Sequence, residues 1–161
     1  MFLVTTAEKI NWEDNHKILF LGEWCLISGS RSINPEIDFK IMPYHWDTAQ
    51  KMHEDYIYIE KIYETILTDL SKSLNQYHSY NWSKRQWRIL IGPWLHKFLE
   101  IALDRWNSIE TAETCFNISN TFIYENIEKD LYTSSYTDLS NKCKENYWNY
   151  IFYNLLIKFK D

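Results

Sequence analysis

Glycine is scarce in this chain, with three in 161 residues, and that scarcity excludes a whole class of sites. There is no GxGxxG and no GxxxxGKS/T, so no recognised glycine-rich loop cradles a nucleotide phosphate. Cysteine is equally sparse. Cys25, Cys115 and Cys143 are odd in number, far apart and without a CxxC pair, which excludes a disulfide framework and a cysteine zinc site and leaves reduced thiols as the expectation. Basic charge is in deficit, with 17 Lys and Arg against 22 Asp and Glu and a net charge of -5. A nucleic-acid-binding module needs a concentrated basic face to neutralise phosphate, and this balance argues against one. Lys84, Arg85 and Arg88 make the only notable basic cluster, read as a solvated or ion-paired helix face. No apolar run approaches the roughly 18–20 residues needed to cross a bilayer, and no signal-peptide pattern precedes the first strand-like run, so a soluble, cytoplasmic chain is expected. HExxH and GxSxG are both missing, and no metal or other cofactor is expected.

Aromatic side chains are abundant. They make up 17% of the chain, with eight Trp and twelve Tyr, and such residues, large but with a polar handle, serve either hydrogen-bonded core corners or recognition surfaces. A chain of this length can bury one sizeable core. FLVTT (2–6), KILFLG (17–22), FKIMP (39–43) and TFIY (121–124) have the short apolar character of buried strands. The link between the first two is short for a helical crossover, so their relative direction stays open at this point.

From Asp47 the pattern changes period. Ile59, Ile62, Tyr63, Ile66, Leu67, Leu70 and Leu74 recur at spacings of three and four, which predicts a long amphipathic helix. Asp47 followed three residues later by Gln50 resembles a capping box at its start, and Ser83 with Gln86 repeats the signal before WRILIGPWLHKFLEIALDRW (87–106). Gly92-Pro93 leaves two readings of that stretch: one kinked helix, or a short helix followed by a second. Residues 130–141, rich in Ser, Thr and Asp, read as a loop, and Tyr147 to Phe159 as a last helix. Together these elements predict a single α/β domain: a small, mostly parallel sheet flanked by helices, Rossmann-like and helix-rich.

In an open sheet of this kind the ligand crevice lies beyond the carboxyl ends of the strands. Two stretches fall there. LFLGEWC sets Gly22, Glu23, Trp24 and Cys25 after one strand, and MPYHWD sets Tyr44, His45, Trp46 and Asp47 after another. If those strands are adjacent and parallel, Glu23 and His45 face one cleft as a carboxylate and an imidazole suited to activating a hydroxyl. Trp24, Tyr44 and Trp46 offer flat faces on which a sugar ring stacks. The structural alternatives are a packed aromatic corner at Pro43–Trp46, an ion pair or helix-start carboxylate for Glu23, a helix cap for Asp47 and a small buried hydrophobe for Cys25.

Several words of this sequence, in this order and spacing, resemble one known family: LVTTA at 3–7, ILFLGEWC at 18–25, MPYHWD at 42–47, WRILIGPWL at 87–95, DRW at 104–106 and NYWNYIFYNLLIKF at 146–159. The sequence is similar to the amino-terminal part of a family of inferred transferases encoded in bacterial O-antigen and other surface-carbohydrate loci. WRILIGPW is the most specific of these words. The resemblance implies a glycosyltransferase-like enzyme of surface polysaccharide assembly. This chain would be its amino-terminal, acceptor-side domain, binding a sugar or glycan acceptor, and the sugar nucleotide donor would belong to a carboxy-terminal domain without which the piece is inactive. The positions that match are Gly22, Glu23, Trp24, Cys25, Pro43, Tyr44, His45, Trp46, Asp47, Arg88, Gly92, Pro93, Trp94, Asp104 and Arg105. Among them His45 and Glu23 are the candidate catalytic residues, Trp24, Tyr44, Trp46, Asp47, Arg88 and Trp94 the candidate substrate contacts, and Arg88 the candidate partner of a charged ligand group. The competing expectation is a noncatalytic module, or a truncated gene product, that only binds a carbohydrate or a partner chain. An unrelated small-molecule enzyme on a similar sheet is the third possibility, because fold does not fix function.

Overall fold

Four short strands and four helices make up the computed structural model, which describes residues 1–8, 17–26, 38–124 and 128–160. The strands are β1 (Phe2–Val4), β2 (Ile18–Phe20), β3 (Phe39–Ile41) and β4 (Asn120–Thr121). They form one sheet in the order β3-β2-β1-β4, and all three pairings are parallel. Residues 9–16 of the link between β1 and β2, whose length left their direction open, lie outside the described residues; the pairing itself settles that direction. The fourth strand is displaced from its expected place: only Thr121 of TFIY pairs, together with Asn120. Its register sets Asn120 and Thr121 beside Phe2 and Leu3 of β1.

The helices are α1 (Ala49–His78), α2 (Lys84–Cys115), α3 (Tyr136–Lys142) and α4 (Asn146–Lys160). Pro93 lies inside α2, so the first of the two readings of Gly92-Pro93, a single helix, is the observed one. The capping box before α2 is present, with Gln86 Oε1 accepting from the Ser83 backbone N–H at 2.8 Å and Ser83 Oγ from that of Gln86 at 3.4 Å. The box expected at Asp47 is not formed. Thr48 is the N-cap and makes no side-chain cap bond, while Gln50 donates to Glu54 Oε1 at 3.0 Å. Residues 130–141 are also not a plain loop, since α3 begins at Tyr136. Ser135 Oγ accepts from the Asp138 N–H at 3.1 Å, and Asp138 accepts in turn from the Ser134 N–H at 2.8 Å. The Ser and Asp residues that suggest a turn are helix-start residues here.

The chain gathers into two compact units. The first comprises residues 1–45, 105–132 and 141–161, the second residues 46–104 and 133–140. In the first, β1 and β2 are buried at every residue, and Ile109 and Ala112 of α2 with Trp148, Tyr150–Asn154, Leu156 and Ile157 of α4 supply the helical side of the core. Arg105 donates to Asn149 Oδ1 at 2.9 Å, and Lys160 pairs with Glu113 at 2.6 Å. In the second, Ile59, Tyr63 and Leu67 of α1 pack with Leu95 and Leu99 of α2, the stripe that the period of three and four marks out. Among the described residues no helix is long and apolar enough to cross a membrane.

Candidate functional site

All strands of a parallel sheet end at one edge, so the segments leaving β1, β2 and β3 emerge together in the first unit. β2 and β3 are neighbours, which is the condition on which the convergence of GEWC and PYH depends. Three side chains tie these segments to one another. Trp24 donates its indole N–H to the Thr5 carbonyl at 3.1 Å, its ring meets the Tyr44 ring edge-on at 6.0 Å between centroids, and the Tyr44 ring meets that of His45 at 4.9 Å. A line of contacts therefore runs from the end of β1 across β2 to the end of β3. All three rings are half-buried, while Glu23 is exposed at the start of a short 3-10 turn, Glu23–Leu26.

The turn after β2 folds this way because of its residues. A Cβ at Gly22 would lie 2.2–2.5 Å from the Trp24 ring, so only glycine lets the indole fold back over the strand end. Cys25 donates its S–H to the Val4 carbonyl at 3.4 Å, its backbone N–H bonds the Gly22 carbonyl at 3.1 Å, and its burial pushes the thiol up to about 12. Cys25 is thus a small buried side chain, not a nucleophile. Thr5 and Thr6, 3% and 1% exposed, end β1 beside this turn and are the residues that reasoning from single motifs passed over. Their signal was their place: like GEWC, they directly follow an apolar strand.

The remaining sequence-predicted residues belong to the second unit. Trp46 donates its indole N–H to Asp55 Oδ2 at 2.8 Å, and Lys51 pairs with the other oxygen of that buried carboxylate at 2.6 Å. Asp47 is exposed. Arg88 pairs with Glu64 across the α1–α2 hairpin at 2.8 Å, and Lys84 reaches the same carboxylate at 2.8 Å. The hydrogen bond from Lys84, aided by Arg88, lowers the Glu64 pKa. Trp94 stacks on Phe98 at 5.2 Å and donates to Thr133 Oγ1 at 3.1 Å. A further cluster in this unit sets His96 between two carboxylates, Glu60 at 2.7 Å and Glu100 at 3.3 Å. Its i,i+4 half is readable in the sequence and its Glu60 half is not. Among the described residues no group of three side chains suited to hold a metal comes together.

The family model of the LIC12162 family transferases matches residues 1–161. The chain belongs to that family. No curated protein and no solved structure matches it significantly. Membership in the LIC12162 family makes transferase the reaction class, and it leaves the transferred group to be argued from the site.

Proposed function

We propose that the chain is the acceptor-side part of a glycosyltransferase-like enzyme of bacterial surface polysaccharide assembly, working in the cytoplasm, with the sugar nucleotide held by another part of the full-length protein. One observation carries this reading: the turns after β1, β2 and β3 meet at one sheet edge, joined through Trp24, Tyr44 and His45. The strand order reverses between β1 and β4, so the crevice expected of an open parallel sheet borders the end of β1, to which Trp24 is tied through the Thr5 carbonyl. In this reading His45, or Glu23 from the neighbouring turn, takes the proton of an acceptor hydroxyl as that oxygen attacks the sugar carbon of the donor and the nucleotide diphosphate departs. Tyr44 and Trp24 wall the acceptor. Arg88 and Trp94 keep their places as substrate contacts only if a ligand competes with Glu64, Thr133 and Phe98 for them, and their present partners make a structural role the simpler one.

The test is turnover in a full-length family member. Replacing the histidine at position 45 by alanine lowers transfer by about 10²- to 10⁴-fold while the circular dichroism spectrum is unchanged; equal turnover in the variant removes His45 from the mechanism. A second reading, a noncatalytic module that docks a partner chain, draws on a different observation. Ile89 and Leu90 on α2 are 73% and 61% exposed, a degree of apolar exposure suited to a protein interface.

A further inference from the structure

The stretch from Leu70 to Leu99 contains no Asp or Glu, although the chain as a whole is acidic, and it carries Lys72, Lys84, Arg85, Arg88 and Lys97. All of it is described, and it forms the end of α1, the turn at 79–83 and the first half of α2. Lys72 and Lys97 pair with Asp69 and Glu100 at the borders of the stretch. Lys84 and Arg88 share the single carboxylate of Glu64, which leaves that group net positive, and Arg85 is exposed beside them.

The turn itself is firmly built. Ser79 takes the left-handed conformation that closes α1, and the Tyr80 N–H bonds the Asn75 carbonyl at 3.0 Å. Asn75 Nδ2 donates to the Trp82 carbonyl at 2.8 Å, while its Oδ1 accepts from the Trp82 N–H at 3.0 Å and the Trp87 indole at 2.9 Å. Tyr80 then stacks on Trp82 at 5.0 Å. Tyr77 and Tyr80 are nonetheless 83% and 51% exposed. Ile89 and Leu90 share an exposed face of α2 with Arg85 and Gln86, one turn on. Helical side chains lean toward the helix N-terminus, so both lean toward the turn. The inner face of α2 is already taken, with Ile91 and Leu95 packed on α1.

We infer that this end of the α1–α2 hairpin docks on an anionic membrane surface. Ile89 and Leu90 enter the acyl boundary, Tyr77 and Tyr80 settle at headgroup level, and Arg85 with the Lys84–Arg88 group faces lipid phosphates. No described helix can cross a bilayer, so the contact is peripheral. Nucleic acid fits less well, because Tyr80 and Trp82 stack on each other instead of offering their faces to bases, and aliphatic chains have no counterpart on a phosphate backbone. A protein partner also fits less well, since its interface pairs charges of both signs. Membrane docking is independent of the acceptor-side reading, and it gives Ile89 and Leu90 a bilayer in place of a partner chain.

The experiment is co-sedimentation of the full chain with vesicles of phosphatidylcholine alone and of phosphatidylcholine mixed with phosphatidylglycerol, beside sedimentation velocity without lipid. Anionic vesicles bind at least about tenfold more tightly than neutral ones, and added salt removes the difference. Arg85→Gln weakens binding about fivefold. Ile89→Ser combined with Leu90→Ser weakens it at least about tenfold with an unchanged circular dichroism spectrum, since both positions are exposed. Met52→Ser, at an exposed apolar position near the other end of α1, leaves binding as it was. Equal binding to both vesicles, binding to neither, or full binding by the double serine variant overturns the inference. So does competition by soluble glycerol phosphate matched to the lipid phosphate, which marks a phosphate pocket. Self-association that the two serines abolish, without vesicle binding, marks a protein interface and overturns it too.

Discussion

Gly92 and Tyr63 are the pair of residues in which chemistry is most tightly coupled to sequence position. A Cβ at position 92 would lie 2.6 Å from the Tyr63 hydroxyl oxygen, so the glycine of WRILIGPW has a local reason that is independent of any ligand. Gly92→Ala is expected to cost about 1–3 kcal/mol by overpacking, read from urea denaturation. In a Tyr63→Phe background the same change costs little or stabilises, because the hydroxyl is gone and alanine is favoured over glycine in a helix interior by roughly 1 kcal/mol. Additive effects in the double variant would show that the clash is not what selects glycine. Gly22 poses the same question at the sheet edge, where the obstacle is the Trp24 ring. Both glycines were visible as punctuation in the sequence. What each made room for was not, since Tyr63 lies 29 positions from Gly92 on another helix and no local pattern links them.

Among the elements, the α1–α2 hairpin is where electrostatics can be tested. Glu64 accepts from both Lys84 and Arg88, and those contacts lower its pKa. A carboxyl group whose folded pKa lies below its unfolded value stabilises the fold fully above the unfolded value and loses that contribution as pH falls through the folded one. The hairpin is therefore expected to lose stability on acidification below the ordinary carboxylate range, by on the order of 0.5 kcal/mol because the pair is half-exposed. Glu64→Gln should flatten that part of the pH–stability curve, and an unchanged slope would show that the pairs do not bear on folding. The helices themselves were legible from their apolar period, and α2 from its capping box. The start of α1 was not, because Asp47 and Thr48 both have capping chemistry, and the helix begins after Thr48 without a side-chain cap bond from either.

At the scale of the whole molecule, neither compact unit is a continuous stretch of chain. The first draws on residues 1–45, 105–132 and 141–161, and β1, one of its two inner strands, pairs with β4 across a separation of 118 positions at Leu3 and Thr121. A fragment of residues 1–83 keeps three strands and α1 but lacks β4, α2 and α4. It is expected to show no cooperative thermal transition and rapid amide exchange in β1, whereas a transition like that of the full chain would mean that the sheet stands without its last strand and helices. This dispersal is also why the candidate site was only half legible. The motifs after β2 and β3 were recognisable as strand ends, but their meeting depended on a parallel pairing that strand composition does not specify.

The sequence by itself determined the alternation of strands and long helices, the apolar face of α1 and the cap of α2, because each is set by groups within a turn or two of one another and by their preference for water or its absence. Tertiary structure alone decided the order β3-β2-β1-β4, the seating of Trp24 against Thr5 and Tyr44, and the engagement of Arg88 by Glu64. Those contacts join residues far apart in the chain, and their energies exist only once the backbone has brought the partners within reach.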